Sequence, residues 1–90
     1  DVAFVGSQRD ENFRISARAK QDMVRRGLHL GRLLDEVGGE TDNSGGGHAG
    51  AAGLTGTGDV EAVLNMCMSR AMDFLRELRD AARAQAADGE

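Results

Sequence analysis

The sequence contains no proline, one cysteine, one lysine and no long apolar run, and each shortage closes off a class of protein. A lone Cys67 cannot form an internal disulfide, so the chain is no disulfide-stapled scaffold; a reducing, cytoplasmic setting is the expectation. Cys67 sits among apolar residues at helical spacing, where a thiol behaves as a small buried hydrophobe. No stretch approaches the roughly 20 apolar residues of a membrane-spanning helix, and the N-terminus has neither a basic segment nor a signal-type apolar stretch. No membrane partner is expected. Acidic residues outnumber basic ones 15 to 11, for a formal net charge of -4. That balance argues against holding nucleic acid by bulk electrostatics alone, so any anion must be caught locally. With 13 glycines and no proline, it also suggests a GC-rich or salt-adapted source.

What is present fits one domain over residues 1–86 with a fraying tail at 87–90, because ninety residues bury only a modest core. The chain opens on Asp1 and reads as a strand almost at once, which leads to the expectation of a preceding segment in a longer protein. DVAFVG is a short β-type apolar run. NFRISAR alternates strictly, with Phe13, Ile15 and Ala17 on one side and Arg14, Ser16 and Arg18 on the other. The polar SQRDEN between them predicts a hairpin with a loop of a few residues. The alternation sends Phe13, Ile15 and Ala17 to the core and projects the two arginines and the serine together from the opposite face.

From Lys20 to Val37 the apolar spacing becomes helical, with a regular helix expected from about Leu28 and a stop at Gly38-Gly39. GGETDNSGGGHAG has no periodicity and reads as a loop. AAGLTGTG is small and β-compatible, a third strand that packs closely. Asp59 then caps a long helix whose Val60, Val63, Leu64, Cys67, Ala71, Phe74, Leu75, Leu78 and Ala82 recur three and four residues apart. The expected class is α/β: a small, mainly antiparallel or mixed sheet with two main helices packed on it, in the order β-β-α-β-α.

The candidate chemistry lies in SGGGHAGAAG. Consecutive glycines let backbone amides approach a ligand without side chains in the way, which is the physics of a phosphate cradle. His48 adds a hydrogen-bonding group, and Arg18 brings full charge and a bidentate fork. The pattern matches neither a Walker motif nor a dinucleotide fingerprint, and a glycine-rich spacer with a surface histidine is the plainer alternative. His29 reads as a packing or surface histidine, and with two histidines and one cysteine there is no metal-ligand cluster in the sequence. Asp35 and Glu36 read as solvated helix charges. So do Arg76, Arg79 and Arg83, interleaved with Glu77 and Asp80. Met66, Met68 and Met72 read as core or as a surface for a partner helix.

FRISARAK, then a helix, then GGGHAGAAG resembles the domain that accompanies the catalytic DHH domain in RecJ-type single-strand exonucleases, nano-RNases and related cyclic-dinucleotide phosphodiesterases. In that family a strand of the type V-S-x-R-S precedes the helix, and G-G-G-H-x-x-A-A-G follows it directly. The resemblance covers residues 12–56, and the last helix agrees in type. Two differences stand out: ETDNS separates Gly38-Gly39 from Gly45, and Ala19 stands where the family commonly has serine. The resemblance implies a substrate-binding domain without catalytic residues of its own. Gly45, Gly46, Gly47 and His48 would clamp the substrate, and Arg18, with Ser16 beside it, would grip a phosphate. A DHH domain upstream in the same chain would hold two divalent metals, typically manganese; this domain itself would need no cofactor. The implied ligands are single-stranded nucleic acid, an oligonucleotide or a nucleotide phosphate. Two alternatives stay open: a non-catalytic interaction domain that forms a homodimer through its long helix, and a tRNA-binding domain of the alanyl-tRNA-synthetase type.

Overall fold

A computed structural model describes the backbone of residues 2–88 and the side chains through residue 85. Strand β1 (Val2–Arg9) and strand β2 (Asn12–Ala19) pair antiparallel in continuous register, from Val2 opposite Ala19 to Arg9 opposite Asn12. Only Asp10 and Glu11 remain for the turn, tighter than SQRDEN suggested, with Asp10 at a φ of 57°. Aspartate tolerates that left-handed conformation better than most residues. The polar end of β1 extends as strand because Gln8 is used: its side-chain oxygen accepts the Val60 N–H at 3.3 Å, and its amide nitrogen donates to the Gly58 carbonyl.

Helix α1 (Gln21–Arg25) is a single short turn that ends before Gly27, whose φ of 111° suits glycine. Helix α2 (Leu30–Thr41) begins later and ends later than the pattern predicts. His29 caps its start, with Nδ1 accepting the Arg32 N–H at 3.1 Å. At the other end the helix runs straight through Gly38 and Gly39, and Asp42 takes the left-handed cap conformation while the Asn43 N–H bonds the Gly38 carbonyl at 2.7 Å. Gly38 is therefore no stop signal. A Cβ there would lie 2.9 Å from the Gly45 nitrogen and 3.1 Å from the Asn43 oxygen, so glycine lets the next strand cross close to the helix.

That strand is β3 (Ser44–Gly47), formed by the glycine run itself, and it hairpins into β4 (Ala51–Thr57). The sheet is fully antiparallel in the order β1-β2-β4-β3. Helix α3 (Val60–Asp88) follows, with Asp59 Oδ1 accepting the Glu61 N–H at 3.0 Å as the expected cap. The tail predicted to fray is helical through Asp88, and residues 89–90 lie outside the described residues.

Both long helices lie on one face of the sheet. Phe13, Ile15 and Ala17 of β2, with Leu54 of β4, meet Leu30, Leu33, Leu34 and Val37 of α2 and Val63, Cys67 and Ala71 of α3, all buried. Arg70 joins the two helices on the outside by ion pairs to Glu36 and Glu40. The architecture is a two-layer α/β domain with its second sheet face uncovered.

Candidate functional site

The uncovered face is ordered by strand register. Residues directly opposite one another in an antiparallel sheet share a face and stand about 5 Å apart. Ser16 of β2 is opposite Val5 of β1 and Gly53 of β4, and Gly53 is opposite Gly46 of β3, so Val5, Ser16, Gly53 and Gly46 make one row across the sheet. On one side of it run Ala3, Arg18 and Ala51, and His48 completes that row by donating its N–H to the Ala51 carbonyl at 2.8 Å. On the other side run Ser7, Arg14, Thr55 and Ser44. Of the six predicted residues, the structure puts Ser16, Arg18 and Gly46 in the rows of the uncovered face, across β2 and β3 with β4 between them, and His48 in the loop beside them, whereas Gly45 and Gly47 are in register with Leu54 and Ala52 on the covered face. It also sets Arg14, Thr55, Ser44 and Gly53 among them, which the motif reading missed. Arg14 was within reach, because strand alternation alone puts it on the face of Arg18. Ser44 and Thr55 were not, because their placement depends on the glycine run being a strand.

The three glycines do different work. A Cβ on Gly45 would collide with the Leu34 carbonyl, so this residue lets α2 lie directly on β3. Gly47 has a φ of 141°, and a Cβ there would come within 2.7 Å of the Ala52 Cα. Gly46 has open space where a side chain would be. No packing demand explains glycine at 46; it leaves bare backbone on the uncovered face. The extended run does not curl into a nest of converging amides, as a glycine-rich loop would. It presents a flat, side-chain-free surface beside Ser16.

The loop after β3 is firmly held. The carbonyl of His48 accepts from the Gly31 N–H at 3.0 Å, that of Ala49 from the Leu30 N–H at 2.9 Å, and that of Gly50 from the Ala19 N–H at 3.0 Å. The first amides of α2 are used here, so they are not available to an anion. The His48 side chain, by contrast, is exposed. Arg14 and Arg18 are exposed too, and neither makes an ion pair among the described residues.

A family model, that of the DHHA1 domain, matches residues 1–85. This chain is a DHHA1 domain. DHHA1 is the domain associated with DHH phosphoesterases, and such domains sit with a DHH catalytic domain. The DHHA1 chain is also 37% identical over 91 aligned positions to an uncharacterized protein of Methanocaldococcus jannaschii, covering 90% of this chain and 26% of that protein. It therefore spans about a quarter of the length of the curated relative it matches. Among the described residues of this DHHA1 domain, no three His, Cys, Asp or Glu side chains gather as a metal-ligand set. Nor is any helix among them long and apolar enough to cross a membrane. Burial pushes the Cys67 thiol above its ordinary pKa, against the opposing charge of Arg70, which keeps it an inert core side chain. His29, read as a packing or surface histidine, is the cap of α2. Met66 is half-buried against the core, whereas Met68 and Met72 are exposed beside Leu75.

Proposed function

We propose that this DHHA1 domain binds the phosphate-bearing end of single-stranded nucleic acid or a short oligonucleotide on its uncovered sheet face. In this reading it presents the strand for phosphodiester hydrolysis by a DHH domain of the same parent chain. Arg18 grips a phosphate with its guanidinium fork, Ser16 and the His48 ring add hydrogen bonds, and Gly46, held in place by the packed Gly45 and Gly47, admits the ligand close to the backbone. The metals, manganese on the family's pattern, belong to the DHH domain. The role of the present residues is to bind and orient.

The observation that carries this reading is the placement of an arginine without an ion-pair partner among the described residues and an exposed histidine in one row, next to the open backbone of Gly46 and Gly53. In a chain of net charge -4, arginines on a face that carries no carboxylate among its described residues mark a local anion site. The test is a titration with a short 5'-phosphorylated single strand followed by amide and imidazole chemical shifts. The amides of residues 45–47 and the His48 ring shift, Arg18→Gln weakens binding about tenfold, as the loss of a charge-assisted contact does, and nothing is hydrolysed by this domain alone. Absence of any response at millimolar ligand refutes the assignment.

The exposed stripe of Met68, Met72 and Leu75 on α3 supports a second reading, an interaction domain that self-associates through that helix. It requires a concentration-dependent dimer in sedimentation.

A further inference from the structure

The row Ser7, Arg14, Thr55 and Ser44 has no part in the grip by Arg18, yet every one of its side chains can donate a hydrogen bond: one guanidinium and three hydroxyls. Arg14, Ser44 and Thr55 line a shallow, open depression together with the backbone of Gly46 and Gly53. Arg14 has no ion-pair partner among the described residues, although acidic residues outnumber basic ones in the chain. None of the twelve positions in the three rows is Asp or Glu. A surface that concentrates arginine and hydroxyl groups and excludes carboxylates matches the contacts that phosphate oxygens and sugars receive from proteins.

We infer that the Arg14, Thr55 and Ser44 row is a second phosphate subsite, so that the ligand of this face carries two phosphates with one nucleoside between them. This rests on the binding role proposed above for Arg18. Arg14 and Arg18 are four residues apart on β2, about 13 Å between Cα atoms at roughly 3.3 Å per residue, farther than the two phosphates that flank one nucleoside, so gripping both requires the two long side chains to reach inward over the row between them. The row between them is Val5, Ser16, Gly53 and Gly46, which combines an apolar side chain, two thirds exposed at 67%, with bare backbone. A nucleoside lying along that middle row places its 5'-phosphate at Arg18 and its 3'-phosphate at Arg14. The face thereby discriminates a phosphodiester chain from a lone mononucleotide.

Thymidine 5'-monophosphate and 5'-phosphorylated dithymidine, pTpT, are the probes, titrated at low salt into the wild type and into Arg14→Gln and Arg18→Gln, each checked for unchanged melting. The wild type binds pTpT more tightly than the mononucleotide. Arg14→Gln weakens pTpT about tenfold and lowers the slope of log affinity against log salt by about one. It leaves the mononucleotide within about twofold, whereas Arg18→Gln weakens both ligands. Equal wild-type affinity for the two probes overturns the second subsite and leaves the first standing, as does an equal loss on both probes in Arg14→Gln. If neither probe binds the wild type, the proposed binding role fails and the subsite with it.

Discussion

The two faces of this sheet are made from alternate residues of the same strands, and they obey different rules. On the covered face every position is set by what lies above it. Ile15 and Leu54 are fully buried, and Gly45 is glycine because the Leu34 carbonyl occupies the place of a Cβ. On the uncovered face, one residue along, Arg14, Ser16 and Arg18 are exposed and Gly46 has nothing near it. Residues of the first kind are explained by packing, which any sequence with this fold must satisfy. Those of the second kind have no packing explanation, which is why function is sought there.

The widest contrast comes from adjacent residues of β2. Ile15→Ala removes a fully buried side chain and costs about 2–5 kcal/mol of unfolding free energy, whereas Ser16→Ala changes it by less than about 0.5 kcal/mol. Chemical denaturation of the two variants measures both, and similar losses would erase the distinction between the faces. A narrower contrast lies within the glycine run. Gly45→Ala forces α2 and β3 apart and costs about 1–3 kcal/mol, while Gly46→Ala melts with the wild type and weakens binding of a 5'-phosphorylated strand.

These contrasts also show how much of the molecule was legible beforehand. The alternation in NFRISAR named the buried and exposed sides of β2 correctly, because period-two burial is local and needs no knowledge of the partner strand. Asp59 and Cys67 were legible for similar reasons, a cap and an apolar stripe being properties of one helix. The glycine run was not, since glycine carries no periodicity, and its extended conformation comes from β4 beside it and α2 above it. The same contact explains why α2 continues through Gly38-Gly39. With the helix ending at Thr41, only Asp42 and Asn43 separate it from β3, so the spacer ETDNS divides into two helical residues, two linking residues and the first residue of the strand. The motif marked Arg18 and His48, but their shared row with Ala51 required the register.

The smallest effect concerns the tie between the helices. The hydrogen bond from Arg70 holds the Glu40 carboxyl below its ordinary value of 4.5, with the charge of Arg70 adding to it against a small opposing effect of burial. A carboxylate whose pKa falls on folding adds stability that is present above its unfolded value and lost as pH drops through the folded one. Wild type and Glu40→Gln therefore differ slightly in melting temperature at neutral pH and converge as the pH falls below 4.5 and through the lowered value of the folded state. Ligand binding on the far face of the sheet stays unchanged in Glu40→Gln, which separates the two faces once more.

Three consecutive carbonyls, those of His48, Ala49 and Gly50, are fastened to the start of α2 and the end of β2. For His48 this means that the conformational freedom of its backbone is surrendered when the domain folds, not when a ligand arrives. Immobilising a side chain on binding costs about 0.5–1.5 kcal/mol, and ordering a residue of loose backbone adds about 1–2 kcal/mol more. A mobile glycine-rich loop of three residues would forfeit several kcal/mol of affinity in this way. The preorganised hairpin forfeits only the first amount, so in the binding role proposed for His48 only the imidazole is left to be ordered.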